Sequence, residues 1–216
     1  MQAFSLTRLF GSRRWFGVCL LALAGCATPP SAVKTESTVA GRPDATPPTV
    51  TAPARRPLKL GLALGGGAAR GFAHVGILQV LEEAGIQPHL VVGTSAGSLV
   101  AALYASGKNG QELGTLAQSM DEGAITDWSF PGRGLIRGDA LARYVRDQTA
   151  GRTIEQMKLP LGIVATDLDS GMPILFQRGD TGAAVRASSA VPAVFQPVRI
   201  GNREYVDGGL ASPVPV

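Results

Sequence analysis

One serine in this chain stands in the pattern expected of a catalytic nucleophile. Ser95 is the centre of Gly93-Thr94-Ser95-Ala96-Gly97. The apolar run before it, Leu90 to Val92, and the small-residue segment after it, Ala96 to Ser106, predict a strand, a sharp turn and a helix. Such a turn strains the backbone of Ser95, and a Cβ at Gly93 or Gly97 would crowd it. The chemistry indicated is attack on an acyl carbon; the alternative is a serine that only caps the helix.

A serine hydroxyl is a poor nucleophile, so it needs a base within hydrogen-bond reach. The chain has two histidines. His89 precedes the strand and would lie about 20 Å from Ser95 along an extended chain, while His74, in the first predicted helix, is a less favoured alternative. An aspartate is therefore expected to be the base for Ser95. A free carboxylate has a pKa near 4 and is a weak base unless it is desolvated. The candidates are Asp207, ahead of Gly208-Gly209, and two aspartates that a hairpin turn explains better, Asp167 and Asp169.

A glycine-rich loop offers backbone N–H groups to an anion. It reads Gly65-Gly66-Gly67-Ala68-Ala69-Arg70-Gly71 and lies between a predicted strand and a predicted helix. No Gly-Lys-Ser/Thr ends the loop, which argues against a nucleotide P-loop, and no acid closes a second strand as a dinucleotide-binding fold requires. The expected anion is the oxyanion of an acyl-transfer intermediate. The alternative is a tight turn without a ligand.

The elements around these motifs alternate between strand and helix. Leu58–Leu64 is predicted to be a buried first strand, and the helix after the loop is predicted to run to about Ala84, with Gly85 just beyond its end. Its predicted core-facing residues are Ala73, Ile77, Val80, Leu81 and Ala84. The helix Ala96–Ser106 is apolar nearly all round, which predicts burial against a sheet.

The second half of the chain continues the pattern. A helix is expected from Gly110 to Met120, another is expected to begin at Asp139, and the strand Leu161–Thr166 is expected to turn back into Pro173–Gln177 as an antiparallel hairpin. The irregular stretch between the two helices, 124–138, carries apolar side chains that form either a lid or ordinary core. These are Trp128, Phe130, Leu135 and Ile136.

The ordered set of motifs resembles the patatin-like phospholipase family. The glycine loop, Gly-Thr-Ser-Ala-Gly and Asp207-Gly208-Gly209 carry the resemblance over about residues 58–216, and segments 166–171 and 188–192 are similar to bacterial members. The resemblance implies a three-layer α/β fold, a mainly parallel sheet with helices on both faces, and a Ser–Asp dyad that hydrolyses lipid esters. By match of motif Ser95 is the nucleophile and Asp207 the base. Gly66, Gly67 and Ala68 match the oxyanion loop and Arg70 its basic residue, and Ala68 replaces the family's usual glycine.

The first 57 residues are predicted to be an export signal and a tether. Residues 1–25 combine three arginines with an apolar run too short to span a bilayer comfortably. Leu23-Ala24-Gly25-Cys26 resembles the lipobox of bacterial lipoproteins, which implies cleavage before Cys26 and a lipid on its thiol; an ordinary cleaved signal and a membrane-anchored N-terminus are alternatives. The general secretion and twin-arginine routes both stay open. Ala27 follows the cysteine, which favours the outer over the inner membrane, and the proline-rich segment 26–57 reads as a tether.

Composition excludes several other classes of function. The formal net charge is +4, but three of the positive charges lie in the first 25 residues, so nucleic-acid binding is not indicated. The two cysteines, Cys19 and Cys26, lie outside the predicted domain and offer it neither a disulfide nor a cysteine metal site. No metal or organic cofactor is implied, and the sequence leaves the oligomeric state open.

The sequence is also compatible with two functions other than lipid ester hydrolysis, and it carries one expectation about the C-terminal end of the domain. The chain could be a catalytically idle lipid-binding lipoprotein with the same fold, or an esterase for small soluble esters. Domains of the resembled family continue beyond a point corresponding to Val216, so the domain 58–216 is expected to be C-terminally incomplete, with low activity and an exposed sheet edge.

Overall fold

The computed structural model describes residues 58–121, 123, 127–128 and 134–216. The helices of this part are α1 (Phe72–Glu83), α2 (Ala96–Ala105), α3 (Gly110–Ser119), α4 (Asp139–Gln148) and α5 (Thr181–Ser188). The strands are β1 (Gly61–Leu64), β2 (Leu90–Thr94), β3 (Gly134–Ile136), β4 (Leu161–Asp167), β5 (Pro173–Phe176), β6 (Ala193–Phe195), β7 (Val198–Ile200) and β8 (Arg203–Asp207). The predicted export signal, Cys26, the tether and Phe130 lie outside the described residues.

A central sheet organises the domain. Its strand order is β1-β2-β4-β8-β7, and β5 also pairs with β4. The pairs β1–β2 and β2–β4 are parallel, while β5 and β8 run antiparallel to β4, and β7 antiparallel to β8. Strands β3 and β6 form a separate parallel pair. The predicted α/β class is confirmed, with the parallel strands carrying the first two motifs and an antiparallel strand carrying the third.

The register along β4 explains how distant parts of the chain meet. Strand β2 pairs with β4 as far as Thr94 opposite Val164, and the next residue of β4, Ala165, pairs with Asp207 of β8. Strand β5 pairs with residues 163–166 and therefore fills the other side of β4. Strands β2 and β8 consequently occupy one side of β4 in succession and run toward each other. Their C-terminal ends, at Thr94 and Asp207, converge there.

The core lies between the sheet and a layer of helices. Helix α2 buries seven of its ten residues, as its apolar sequence predicted, and packs with α5 against the residues Val91, Leu161 and Ile163 of the sheet. Leu60, Leu90 and Leu175, by contrast, each expose more than two fifths of their surface. Helix α5 also contributes Ala187 to a second buried cluster, with Ala165 of β4 and Tyr205 of β8.

Two predictions about the N-terminal half were wrong in detail. The first strand covers only Gly61–Leu64, and of these residues only Leu64 is buried, because β1 pairs with β2 alone and forms an edge of the sheet. Helix α1 buries Val75 and Leu78 rather than the predicted face, and Ile77 and Val80 are exposed. It packs chiefly against α3, which a prediction from spacing alone did not include. Gly85 does adopt a positive φ of 70° just after the helix, as predicted.

The structure also tests the predicted β4–β5 hairpin and part of the stretch 124–138. Strands β4 and β5 pair antiparallel, which confirms the hairpin. In the stretch 124–138 the structure describes a short strand whose Ile136 is buried, while Leu135 and Trp128 are exposed, so part of it is core. Within the described ranges no helix is long and apolar enough to cross a membrane.

Candidate active site

Ser95 sits in a strained turn between β2 and α2. Its backbone has φ 51° and ψ −124°, a combination that costs an L-residue free energy and persists only where the surroundings enforce it. The surroundings are the two glycines of the motif. A Cβ on Gly93 would overlap the carbonyl of Gly97, and a Cβ on Gly97 would overlap that of Leu64. The close contacts between β2, α2 and β1 therefore require glycine at both positions, as the sequence predicted.

The side chains of Ser95 and Asp207 lie together. The Ser95 hydroxyl donates to Oδ2 of Asp207 at 2.7 Å, across 112 residues of sequence. The first turn of α2 begins directly after Ser95, so its free backbone N–H groups direct partial positive charge at this point. The contact has the nucleophile–base distance that proton transfer needs.

Asp207 is held from several directions. Its other carboxylate oxygen accepts a hydrogen bond from the N–H of Gly209 at 2.7 Å, and its carbonyl accepts one from the Thr166 hydroxyl at 2.8 Å. The carboxylate lies among buried residues at the end of β8. A Cβ on Gly208 would overlap the carbonyl of Val164, so the Asp-Gly-Gly turn is pressed against β4. These contacts orient Oδ2 toward Ser95.

The glycine loop passes directly over Ser95, but not every N–H in it is available. A Cβ added to Gly66 would lie 3.2 Å from the Cβ of Ser95. The N–H of Gly66 donates to the Pro213 carbonyl at 2.9 Å. The N–H of Gly66, which the motif match places in the oxyanion loop, is therefore already engaged by Pro213 in this structure. No acceptor for the N–H groups of Gly67 and Ala68 is found among the described residues, which leaves these two as the candidate donors.

Ala68 adopts a backbone conformation that favours glycine. Its φ is +49°, in the left-handed region that disfavours a Cβ. Gly71, at the end of the same loop, lies so close to α2 that its Cβ would come 2.7 Å from the Cβ of Ala96. The loop and the helix behind Ser95 are thus packed against each other through very small residues.

Two basic side chains brace the loop. The Arg70 Nε donates a long hydrogen bond, 3.4 Å, to the carbonyl of Gly67, and the rest of the guanidinium is exposed at the mouth of the cleft. The His74 ring donates from Nε2 to the carbonyl of Gly65 at 2.8 Å. His74 therefore contacts the loop and makes no recorded contact with Ser95.

The remaining candidate bases do not contact Ser95. Asp167 is fully buried and accepts hydrogen bonds from the N–H and hydroxyl of Ser170 and from Arg203. These contacts, the Ser170 N–H foremost, lower the pKa of Asp167 to about 2, so it is a fixed carboxylate of the hairpin. Asp169 is exposed in the same turn. The Nδ1 atom of His89 accepts a hydrogen bond from the N–H of Leu60 at the other end of β2.

Two residues that were not predicted to belong to the site contact the pair, Ser188 on Ser95 and Ala190 on Asp207. The hydroxyl of Ser188 accepts the backbone N–H of Ser95 at 2.8 Å and donates to the Val164 carbonyl at 2.5 Å. Two residues later, the carbonyl of Ala190 accepts the N–H of Asp207 at 2.9 Å. The only sequence signal was the resemblance of segment 188–192 to bacterial members of the family, which names no contact.

An open cleft of about 400 Å³ exposes the site to solvent. It contains Ser95 and Asp207, the loop residues 66–68 and Arg70, and apolar side chains on its far wall. The described residues include no group of three or more His, Cys, Asp or Glu side chains placed to hold a metal ion. The arrangement can therefore bring an ester carbonyl to the serine hydroxyl with backbone N–H groups beside its oxygen.

Known sequences match most of this chain. The sequence model described as patatin-like phospholipase matches residues 62–216. An uncharacterized NTE family protein of Mycobacterium tuberculosis is 38% identical over 161 residues, covering 73% of this chain and 44% of the relative. The mouse patatin-like phospholipase domain-containing protein 6 is 32% identical over 164 residues, covering 72% of this chain and 12% of the relative. The chain thus spans less than half the length of either relative.

Solved structures share the fold at low sequence identity. VipD from Legionella pneumophila matches with a TM-score of 0.59 and 17% identity, over 73% of this chain and 47% of that one. ExoU of Pseudomonas aeruginosa, solved in complex with SpcU, matches with a TM-score of 0.51 and 20% identity, over 62% of this chain and 38% of that one. These similarities concern the fold alone.

Proposed function

Because the chain belongs to the patatin-like phospholipase family, we propose that it hydrolyses carboxylic esters of lipids, with Ser95 as nucleophile and Asp207 as base. The observation that carries the proposal is the 2.7 Å hydrogen bond from the Ser95 hydroxyl to the Asp207 carboxylate in an open cleft. No histidine of the chain competes for that role, since His74 and His89 bond to the backbone elsewhere. The family supports a lipid hydrolase; the dyad and the ester specificity are our inference.

The first half-reaction acylates the serine. Asp207 takes the hydroxyl proton while Ser95 Oγ bonds to the ester carbonyl carbon, and the carbonyl oxygen becomes an oxyanion. The N–H groups of Gly67 and Ala68 stabilise that charge, with the field of the α2 N-terminus behind them. The tetrahedral intermediate then collapses, the carbon–oxygen bond to the alcohol breaks, and the alcohol leaves with the proton that Asp207 held.

The second half-reaction releases the acid. A water molecule gives a proton to Asp207 and attacks the acyl carbon, which forms a second oxyanion in the same place. Collapse of this intermediate expels Ser95 Oγ, which recovers its proton from Asp207. The net reaction converts an ester and water into a carboxylic acid and an alcohol, and leaves the protein unchanged.

A fluorophosphonate that reacts only with activated serines tests the proposal. We expect the full chain to be labelled at Ser95, as read by mass spectrometry of the modified peptide, and to release fatty acid from phospholipid vesicles. The Ser95→Ala protein should show neither. A folded protein that binds lipid but is not labelled would support the idle lipid-binding alternative, and equal turnover of acetyl and long-chain esters would support a small-ester esterase.

We propose separately, from the sequence of the N-terminal segment, that Cys26 carries a lipid and places the domain at the bacterial cell envelope, with the outer membrane favoured. The proline-rich residues 26–57 would then join the anchor to the domain. Fractionation of cells that produce the full chain tests this, with Cys26→Ser as the variant. Co-sedimentation of that variant with membranes would contradict the lipid anchor.

A further inference from the structure

One short segment at the end of α5 contacts both members of the proposed dyad. The hydroxyl of Ser188, the last residue of α5, accepts the backbone N–H of Ser95 at 2.8 Å. Two residues later, the carbonyl of Ala190 accepts the backbone N–H of Asp207 at 2.9 Å. The segment 188–190 therefore joins two residues that lie 112 positions apart in the sequence.

Ser188 is a buried hydroxyl whose two hydrogen-bonding roles are both fixed. It has no exposed surface, and besides accepting the Ser95 N–H it donates to the carbonyl of Val164 in β4 at 2.5 Å. Because an N–H can only donate and a carbonyl can only accept, a side chain that is donor and acceptor at once is needed to satisfy both. Without this hydroxyl, each of the two backbone groups would lose a hydrogen bond. The N–H of Ser95 has no other acceptor among the described residues.

These contacts lie where β2 and β8 end beside β4. The pairing of β2 with β4 stops opposite Val164, and the Ser188 hydroxyl carries the connection one residue further, from Ser95 to the carbonyl of the same Val164. At the end of β8, the carbonyl of Ala190 holds the N–H of Asp207. The ends of the two strands are therefore tied to each other through α5 as well as through β4.

The backbone of Ser95 needs such support. Its φ of 51° and ψ of −124° persist only where neighbouring groups enforce them. Gly93 and Gly97 leave the space that this turn occupies, whereas the hydrogen bond to Ser188 fixes the direction of the Ser95 N–H. Because this N–H is already engaged, an oxyanion must be bound by other N–H groups of the site.

We propose that Ser188 is a positioning residue, whose hydroxyl holds the Ser95 backbone so that Oγ stays within hydrogen-bond distance of the Asp207 carboxylate. The inference rests on the function proposed above. Ser188 is not among the residues that line the cleft, so it acts on the substrate only through Ser95. Loss of its hydroxyl should therefore slow the chemical step and leave substrate binding nearly unchanged.

Phosphonate kinetics test this role. In Ser188→Ala we expect the rate constant for labelling and kcat to fall about tenfold or more, because small misplacements of reacting groups are costly, while KM stays within about twofold. All of the protein should still be labelled at long times. The half-buried neighbour Ser189 makes no recorded side-chain hydrogen bond, so Ser189→Ala is the matched control and should keep the wild-type rate. A smaller labelled fraction that reacts at the wild-type rate would show a merely structural role and overturn the proposal.

A combination of two substitutions tests the link to the base. If Ser188 acts by setting the distance from Ser95 to Asp207, its hydroxyl should matter little once the base is removed. In the Asp207→Asn background we expect Ser188→Ala to cost less than about twofold in labelling rate, since residues that act as a unit are not additive. A further loss of about tenfold in that background would show that Ser188 acts independently of the dyad, which would contradict the proposal.

Thermal unfolding of each variant shows whether it is folded. If Ser188→Ala is not, Ser188→Cys, which is similar in volume but a weak acceptor, takes its place with the same expected loss of rate. Absence of labelling in the folded wild-type protein would refute the proposed hydrolase and the positioning role with it. Labelling of Ser95 in the wild type at a rate that the Ser188 variants share would refute the positioning role alone.

Discussion

At the scale of single residues, the candidate site consists of two strained backbone positions and one carboxylate. Ser95 and Ala68 are two of the four described non-glycine residues with positive φ, and both line the open cleft. Asp207 ends its strand with both carboxylate oxygens engaged, one by Ser95 and one by Gly209. The strain at Ser95 and Ala68 is thus located where it exposes a hydroxyl and a backbone N–H to a substrate.

The first residue-scale prediction concerns the base. Asp207→Asn keeps an oxygen for the Gly209 N–H but removes the group that accepts the serine proton. We expect kcat to fall by about a thousandfold or more, with an unchanged thermal midpoint. Asp169→Asn, in the exposed hairpin turn, serves as the control and should be fully active. An Asp207→Asn rate within tenfold of wild type would exclude Asp207 as the base.

The second residue-scale prediction concerns the alanine in the oxyanion loop. Ala68→Gly removes a Cβ from a φ of +49°, where an L-residue costs about 1–2 kcal/mol, against a smaller entropic cost for glycine in the unfolded chain. We expect a net gain of about 0.5–1 kcal/mol in the free energy of unfolding, with activity at least that of wild type. Ala69→Gly, one residue on at an ordinary φ, should instead lose stability. Denaturant titration of both variants measures the difference.

At the scale of elements, the site depends on how closely α2 approaches the sheet. The helix enters the site between β1 and β2, through Gly93 and Gly97, and meets the loop at Gly71. Its small residues let it bury most of its surface in the core, which makes it a rigid support for Ser95. The exposed part of α1 contributes nothing to this contact. Helix α1 contacts α2 and reaches the glycine loop through His74, whose ring donates to the Gly65 carbonyl.

The element-scale prediction compares two glycines in helices. Gly97→Ala places a methyl group on the Leu64 carbonyl and should cost about 1–3 kcal/mol, together with loss of phosphonate labelling, because α2 must move away from β1. Gly76→Ala, inside α1 with no atom within 4 Å of the new Cβ, should gain about 0.5–1 kcal/mol and keep its activity. Equal thermal midpoints for the two variants would contradict this account of the packing.

At the scale of the whole domain, an ion pair between a buried carboxylate and a largely exposed arginine joins β4 to β8. Asp167 of β4 bonds to Arg203 of β8 at 2.9 Å, and Ser170 and Arg203 keep the pKa of Asp167 at about 2. A carboxyl group with a lower pKa in the folded state stabilises the fold above its unfolded pKa, near 4. That stabilisation is lost as the pH falls from about 4 toward 2.

The prediction at this scale follows from the sign of that shift. Arg203→Gln removes one cause of the low pKa of Asp167, so its acid unfolding midpoint should move to higher pH than that of the wild type. Arg199→Gln, at an exposed position of the neighbouring strand β7, should leave the midpoint in place. Circular dichroism between pH 2 and pH 7 checks both. Coincident acid transitions for all three proteins would rule out this role for the pair.

The sequence by itself determined the local features of this protein and its family. Glycines in a fixed pattern around Ser95 predicted the strained turn, because a Cβ fits at neither position, and the alternation of apolar runs predicted β2, α2 and the β4–β5 hairpin. The ordered motifs identified the family, which the sequence model over residues 62–216 confirmed. Such features depend on a few neighbouring residues, so they can be recognised without knowing the rest of the fold.

Only the tertiary structure decided what crosses between elements. The convergence of β2 and β8 on one side of β4 brings Asp207 to Ser95, and no local pattern encodes a register between residues 112 positions apart. In the folded domain the Gly66 N–H donates to the Pro213 carbonyl, and Ser188 accepts the N–H of Ser95. The face of α1 that was predicted to be buried is exposed at Ile77 and Val80. Each of these outcomes depends on which partner a residue meets, and partners are set by packing of the whole domain rather than by spacing along the chain.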